Sequence, residues 1–513
     1  MVLTITIIIA VLFALWGAIA PDQLASVADR AYGFSIQNFG WFYLIATLFF
    51  LVFALYLAFS RFGNIRLGDD DDEPEYSTLS WLSMLFSAGM GIGLVFWGVA
   101  EPLSHYLAPP EGAVGGTVEA ARLAMRYSFF HWGLHPWAIY AVIALALAYF
   151  QFRKNYKGLV SSTFIPLLGE RVVNGWVGKA IDILAVLATV FGVATSLGLG
   201  ALQINGGLNH LFGVADSTRN QVIIILIVTV LFLISASTGL NKGIKILSNT
   251  NLVIAVLLML FVWIAGPTAF IFDTFTTTLG NYVQNIIVMS LRLTPFSQGA
   301  WVGMWTLFYW AWWIAWAPFV GTFIARVSKG RTIKEFVIYV MLVPSAFGFI
   351  WFSVFGGTGL HQELFDLGNV AQAVKENTTT ALFITLEHLP LGAVIAFIAT
   401  LLIMTFFITS ADSATFVLGM LTSDGTLNPT LKVKMTWGIL QSFIAIVLLL
   451  SGGLSGLQTA SIVAALPFAL VLIGMCFSLL RALQMEDKER RRKEKRIQQK
   501  LRRMMEAEEN GQA

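Results

Sequence analysis

Trp81-Leu-Ser-Met-Leu-Phe-Ser-Ala-Gly-Met-Gly-Ile-Gly-Leu-Val-Phe-Trp-Gly-Val99 contains no charged residue. As a helix it is long enough to cross a hydrocarbon layer of about 30 Å. Backbone groups left unpaired in lipid cannot be hydrated, so a run of this kind has little choice but to be helical. Yet Gly89, Gly91 and Gly93 alternate through its middle, each costing a helix about 1 kcal/mol relative to alanine. Two readings follow from the glycines. They let neighbouring helices pack closely, or they mark an unwound turn that exposes carbonyls to an ion or solute. Interrupted membrane helices are where binding sites concentrate.

Working outward, the same kind of run recurs along the chain. The sequence is 57% hydrophobic and only 12% charged, whereas soluble globular domains carry about 25% charge. Twelve candidate spans can be read, at roughly 2–20, 41–60, 81–99, 127–151, 180–203, 221–240, 246–266, 301–325, 334–357, 395–422, 434–451 and 459–480. A membrane barrel would instead show alternating segments of about 10 residues. Met1–Ala20 lacks a basic leader and is longer than the apolar part of a signal peptide, so it reads as the first span. The single cysteine, Cys476, excludes a disulfide framework or a cysteine-based metal site.

Charge then orients the spans. Segments after the even-numbered spans hold 26 of the 32 basic residues, and without the C-terminal tail the division is still 15 against 6. The positive-inside bias puts those segments and both termini in the cytoplasm of a multi-pass cell membrane protein. Asp69–Glu73 reads as a solvated acidic loop. The tail Lys488–Arg503 reads as a cytoplasmic helix, serving as a topology signal or, alternatively, attracted to anionic lipid headgroups.

Polar and aromatic residues inside the spans locate the candidate chemistry. The fourth span carries His131-Trp-Gly-Leu-His-Pro-Trp-Ala-Ile-Tyr140. On one continuous helix Trp132, Trp137 and Tyr140 fall within an arc of about 140°, with Pro136 distorting the backbone between them. His131 and His135, four residues apart, read more readily as hydrogen-bonded packing residues than as metal ligands. The eighth span carries Trp310-Ala-Trp-Trp-Ile-Ala-Trp-Ala-Pro-Phe319. Helical spacing puts Trp310, Trp313 and Trp316 along one side, with Trp312 near Trp316. Packing can explain tryptophans, but four within seven residues favour an aromatic cage, the receptor for quaternary ammonium groups. The tenth span holds Phe406-Phe-Ile-Thr-Ser-Ala-Asp-Ser413. Thr409 and Ser410 offer oxygens suited to sodium, or else bond back to their own helix. Asp412 is an intramembrane carboxylate, a functional candidate by default, with capping of a broken helix or pairing with a cation as the plainer reading.

Together, the glycine segment with its continuation Gly91-Ile-Gly-Leu-Val-Phe-Trp-Gly-Val-Ala-Glu-Pro102, the HWGLHPWAIY segment, the Trp310–Gly321 run and the TSADS segment resemble the betaine/choline/carnitine transporter family. The resemblance covers nearly the whole chain, in order and at matching spans. It implies an all-α polytopic membrane protein of twelve transmembrane helices, with a LeuT-like inverted-repeat core preceded by two extra helices. The corresponding division is 1–80 for the extra spans and acidic loop, 81–266 for the first repeat, 267–300 for an amphipathic interfacial segment, 301–483 for the second repeat and 484–513 for the tail. The glycine-rich third span and the Trp/Pro-interrupted eighth span become equivalent first helices of the two repeats. A homotrimer is implied, with 267–290 in the contact.

For the site, the resemblance implies an ammonium cage of Trp132, Trp137, Tyr140 and Trp313 with Trp316 beside the solute, next to the Gly89, Gly91 and Gly93 segment. It implies one sodium ion held by carbonyls of Ser87, Met90 and Phe406 and hydroxyls of Thr409 and Ser410. A second sodium would involve Phe319 and Thr195 or Ser196. Choline-specific members place an Asp where this chain has Gly93, which favours a zwitterion that brings its own carboxylate. Sodium-independent members carry an Arg in the seventh span, and Ile246–Gly266 has no Arg, Lys or His. The expectation is therefore sodium-coupled import of glycine betaine, another betaine or ectoine for osmoprotection. Sodium is the coupling ion, with no other cofactor, no enzymatic activity and no nucleic-acid partner. Proton-coupled choline or carnitine uptake is the alternative, in which Asp412 gains weight. An intramembrane enzyme or a receptor without transport draws thinner support.

Overall fold

A computed structural model of the chain describes residues 1–89, 91–237, 241–296, 300–366, 369–426 and 428–509, without the side chains of 86–89, 241–245, 366, 501 and 507–509. Among the described residues the chain is built of helices, with one isolated β-bridge, Arg66 to Thr332. The longer helices are α1 (Val2–Ile19), α2 (Pro21–Phe59), α3 (Thr78–Gly89), α4 (Ile92–Leu107), α5 (Val118–Trp132), α6 (Leu134–Ala148), α7 (Trp176–Phe212), α8 (Thr218–Ser237), α9 (Asn241–Ala265), α10 (Thr268–Ser290), α11 (Phe308–Arg326), α12 (Ile333–His361), α13 (Gly392–Thr422) and α14 (Leu431–Glu509).

Ten helical stretches among the described residues are long and apolar enough to cross a membrane. The difference from twelve runs has two sources. The expected third span is divided between α3 and α4, of 12 and 16 residues, neither of which reaches 30 Å at about 1.5 Å per residue. The expected eleventh and twelfth spans both lie within α14, which is interrupted at Gly453 (φ 56°, ψ −134°). There the chain doubles back: a Cβ on Gly456 would lie 2.6 Å from the Leu448 carbonyl oxygen, far closer than eight residues of continuous helix permit. The half before Gly453 bonds to α8 through Thr229 and Ser442 (2.8 Å), and the half after it to α2, where the Tyr43 hydroxyl donates to the Ile462 carbonyl (2.6 Å).

The interior is organised by burial of whole helices. Every residue of α6 after Leu134 is buried, and most of α4 and α11, whereas α1 and α9 expose one broad apolar face. A fully apolar, fully enclosed helix marks the centre of a bundle. That centre is formed where α4, α5, α6, α11 and α12 pack on one another. The segment expected at an interface is the single helix α10, which packs on α5 and α12 and exposes Phe272, Val283, Ile287 and Val288.

The polar ends carry added contacts. The acidic loop is exposed at Asp69, Asp70, Asp71 and Glu73 and is also tethered: Asp70 pairs with Arg153 (2.8 Å), which donates to the Gly68 carbonyl as well (2.7 Å). The hydrogen bond and charge of Arg153 hold the Asp70 carboxyl below its ordinary range. The root of the tail is tied down as well, because Glu486 accepts from Lys154 (2.6 Å), the Tyr149 hydroxyl (2.7 Å) and Arg153. Beyond it, residues 489–500 form an exposed helix with Arg490 and Glu494 paired along one face.

Candidate functional site

Two interrupted helices meet a tryptophan-rich one in the interior. Gly91, between α3 and α4, is extended (φ −157°, ψ −178°), so the glycine run does unwind there. The second break separates α5 from α6 at Gly133 (φ −90°, ψ −134°). Pro136 accounts for it: proline has no N–H to offer the Trp132 carbonyl four residues earlier, and its ring crowds that carbonyl. The eighth span differs from expectation. α11 continues through Pro318, and the irregularity is a π-helical turn at Gly303–Leu307, just before the tryptophans. Neighbouring helices re-satisfy groups freed by proline inside a membrane helix, so Pro318 need not break it.

Because of the break at Gly133, Trp132 and Trp137 do not share a helix, yet their rings still join one cluster. Trp137 meets Tyr140 edge-on (5.5 Å between centroids), Tyr140 meets Trp313 (6.2 Å), and Trp313 meets Trp132 (4.8 Å, 77° between planes). All four are buried. The Trp313 indole donates to the His131 carbonyl (3.0 Å), which fixes its plane. The other tryptophans diverge. Trp310 stacks on His135 (5.2 Å), and Trp312 stacks on Trp313 (4.8 Å) and Phe308 (5.6 Å) instead of lying near Trp316. Trp316 is half-buried, contacts Phe319 (5.2 Å), and lies against Gly192 of α7, so its ring contacts do not link it to the other four.

The glycine segment faces this cluster through Gly93. A Cβ there would stand 2.5 Å from Trp312 Cη2 and 3.2 Å from Trp132 Cη2. A break and a close approach therefore both occur, at different glycines: Gly91 forms the break and Gly93 lets α4 approach the rings. Among the described residues nothing lies within 4 Å of a Cβ on Gly91. Gly93→Ala is therefore expected to push Trp312 and Trp132 apart and weaken solute affinity by about tenfold, from ~1–3 kcal/mol of overpacking. Gly91→Ala should cost far less, since extended backbone accepts alanine. Titration of the two purified variants with solute checks the contrast.

Sequence reading passed over Glu101. This carboxylate is fully buried and accepts four hydrogen bonds. They come from His131 Nδ1 (2.6 Å) and His105 Nε2 (3.1 Å) on Oε1, and from Trp132 Nε1 (2.8 Å) and the Tyr309 hydroxyl (2.6 Å) on Oε2. His131 Nε2 bonds in turn to Thr306 Oγ1 (2.9 Å). A charged residue two positions past the expected third span, still among apolar neighbours, was the available signal. Glu101, His105 and His131 also form the one metal-like group of side chains among the described residues, but each is engaged with its neighbours as a hydrogen-bond partner. His135 behaves as a packing residue, bonded to Ser290 (2.8 Å).

The candidate ion residues are distributed unevenly. Gly89 and Ser87 end α3, with the Ser87 side chain and all of Met90 outside the described residues. Phe406 and Thr409 are buried on α13 and Ser410 is half-buried. Thr409 Oγ1 donates back to the Thr405 and Phe406 carbonyls (3.0 and 3.2 Å) and accepts from Asn251 Nδ2 of α9 (3.4 Å). Since the hydroxyl hydrogen is used on its own helix, Asn251 must present its N–H₂ to Thr409, which leaves Oδ1 buried and without a partner. Asn251 is the second residue that sequence reasoning missed. Asp412 sits inside the unbroken helix α13, so it does not cap a helix end. Thr195 bonds to Ser461 Oγ (2.7 Å) and the Leu457 carbonyl (3.0 Å), and Ser196 to the Gly192 carbonyl (3.3 Å). Their partners come from α14 and α7, whereas Phe319 contacts Trp316.

A multi-pass helical membrane protein whose broken helices converge on buried aromatic and unpaired polar groups has the architecture of a solute transporter. The comparisons make this specific. The chain belongs to the betaine/carnitine/choline transporter family, whose model matches residues 1–488. It is 55% identical over 493 residues to the glycine betaine transporter OpuD of Bacillus subtilis, covering 96% of each chain. It is 49% identical over 478 residues to an ectoine/hydroxyectoine transporter of Virgibacillus pantothenticus, covering 93% of this chain and 95% of that one. A probable glycine betaine transporter of Desulfitobacterium hafniense is 48% identical over 486 residues.

Proposed function

We propose that this chain imports glycine betaine, or a close zwitterionic relative such as another betaine or ectoine, by sodium symport for osmoprotection. The observation that carries the reading is the continuous ring cluster Trp137–Tyr140–Trp313–Trp132 standing against the first turn of α4 at Gly93. A quaternary ammonium has no N–H, so ring faces and dispersion must hold it. Its carboxylate suits a helix N-terminus, where backbone N–H groups are unpaired. The Tyr140 hydroxyl and the Trp312 indole nitrogen are further buried donors without partners. Buried polar groups of this kind are rare unless something else satisfies them, and a zwitterion supplies the acceptor.

In the same reading, sodium is held where Thr409 and Asn251 face each other beside the α3–α4 break, together with Ser87, Met90, Phe406 and Ser410. The unpartnered Asn251 Oδ1 is the kind of hard oxygen such an ion takes. Sodium then orders the break against α13, and alternating access follows from rocking one bundle against the rest. Twelve crossings, a LeuT-like pair of repeats, cytoplasmic termini, a trimer through α10 and anionic lipid at the tail complete the proposal. The test is uptake of labelled glycine betaine into proteoliposomes under an inward sodium gradient or with sodium replaced by potassium. At least tenfold faster accumulation with sodium is expected. Uptake that is unchanged by the replacement would refute symport, and a panel in which choline outcompetes betaine would reassign the solute.

A further inference from the structure

We propose that Glu101 is the fixed counter-charge of the aromatic cluster, selecting for a cationic head group by charge and by holding the Trp132 and Tyr309 rings. The proposal rests on the cage reading above and goes beyond it in naming what polarises the cage.

The hydrogen bonds suit an ionised carboxylate. An indole N–H can only donate, and Trp132 Nε1 and the Tyr309 hydroxyl both point to Oε2 (2.8 and 2.6 Å). Oε1 receives His131 Nδ1 and His105 Nε2 (2.6 and 3.1 Å). With both histidines donating, the four contacts fill the acceptor sites of an ionised carboxylate, the state the proposal assigns to Glu101. With neutral histidines nothing cancels this charge. His131 Nε2 and Thr306 Oγ1 are partners in a contact that either atom can donate, and the proposal assigns His131 the neutral tautomer, Nδ1–H to Glu101 and Nε2 accepting from the hydroxyl. His105 Nδ1 is buried with no partner, and a second proton there would bury an unpaired donor. No Arg or Lys bonds to Glu101 among the described residues. A net negative charge therefore stands one hydrogen bond behind Trp132, whose ring is an edge contact of Trp313.

That placement has two consequences for a guest. Coulomb attraction falls off slowly in a low-dielectric interior, so the carboxylate draws a cation to the ring faces without touching it. Accepting an indole N–H bond also pushes electron density into that ring, strengthening its face for a cation. Donors from α4, α5 and α11 on one carboxylate further lock the ring planes relative to one another. Glu101 is thus a positioning and selectivity residue.

The test uses tetramethylammonium, the bare head group, and 3,3-dimethylbutan-1-ol, the uncharged carbon counterpart of choline, titrated against tryptophan fluorescence of the purified full-length protein. Glu101→Gln keeps the shape and removes the charge. Glu101→Asp keeps the charge and shortens the reach. In Glu101→Gln the tetramethylammonium dissociation constant is expected to rise at least tenfold while that of the neutral alcohol changes less than twofold. In Glu101→Asp the cation-to-alcohol ratio should stay within threefold of wild type even where both affinities fall. Equal losses for both probes in Glu101→Gln, or no loss for either, would overturn the proposal, as would loss of the ratio in Glu101→Asp. Because neither probe is glycine betaine, failure here is separable from failure of wild-type betaine uptake, which concerns the solute assignment alone.

Discussion

Trp313→Ala is expected to weaken glycine betaine binding by about 100-fold. Trp313 is the hub of the cluster: it is the ring that contacts Trp132, Trp312, Tyr309 and Tyr140 together (4.8, 4.8, 5.9 and 6.2 Å). A desolvated cation on an indole face is worth about 2 kcal/mol, and the ring's dispersion contacts add to that. A total near 2.8 kcal/mol corresponds to two decades of affinity. The same truncation leaves a cavity costing ~3–5 kcal/mol of stability, so loss of binding by unfolding must be separated from loss of a cage wall. Trp313→Phe does this. It keeps an aromatic face of smaller area, loses the indole bond to the His131 carbonyl (3.0 Å), and is expected to cost about tenfold. Trp316→Ala should fall below both, because the Trp316 ring contacts Phe319 and not the cluster. Calorimetric titration of folded, monodisperse variants checks the order. Unchanged affinity in Trp313→Ala would remove the cage from the reading altogether.

Much of this arrangement was legible in the residues, and the rest was lost for identifiable reasons. Apolar runs located the long helices because lipid permits little but helix. The two spans at the end were separable by composition although the backbone joins them through Gly453. The cluster's membership was also readable, but by a route that the structure replaces. The arc of Trp132, Trp137 and Tyr140 assumed one helix, and the chain breaks at Gly133. The rings converge because α5 and α6 both pack against α12 and α6 against α11, a tertiary fact outside any single-helix wheel. Pro136 and Pro318 show the same limit. Identical residue chemistry accompanies a break in one helix and leaves the other continuous, so the proline alone does not decide the outcome. Glu101 was overlooked for a different reason. Its four donors lie up to 208 positions away in sequence, so its neighbourhood could not be read locally, although its charge alone should have singled it out. Asn251 carries no charge, and only the orientation forced by Thr409 reveals its unpaired oxygen.

Thr409→Val and Asn251→Leu are each expected to raise the sodium concentration for half-maximal uptake by about tenfold or more. Both substitutions keep the branched shape and remove a polar group. The Thr409 hydroxyl bonds to carbonyls of its own helix, so its loss frees acceptors that a membrane helix tolerates within ~1 kcal/mol. Removing an oxygen that faces a cation costs more, on the order of 1.5–3 kcal/mol for an interaction with a charged partner. That difference separates an ion-binding role from packing. A packing role lowers the melting temperature and leaves the sodium curve in place. An ion-binding role moves the sodium curve and leaves the rate at saturating sodium nearly intact. Linkage adds a second signature, because whatever sodium gains from betaine, betaine gains from sodium. The variants should therefore lose betaine affinity at low sodium and recover it at high sodium. The two residues face one another across α9 and α13 (3.4 Å), so if they serve one ion, the double variant should cost less than the sum of the singles. Additive losses would mean that they act separately, and an unshifted sodium curve in both singles would place the coupling ion elsewhere in the protein.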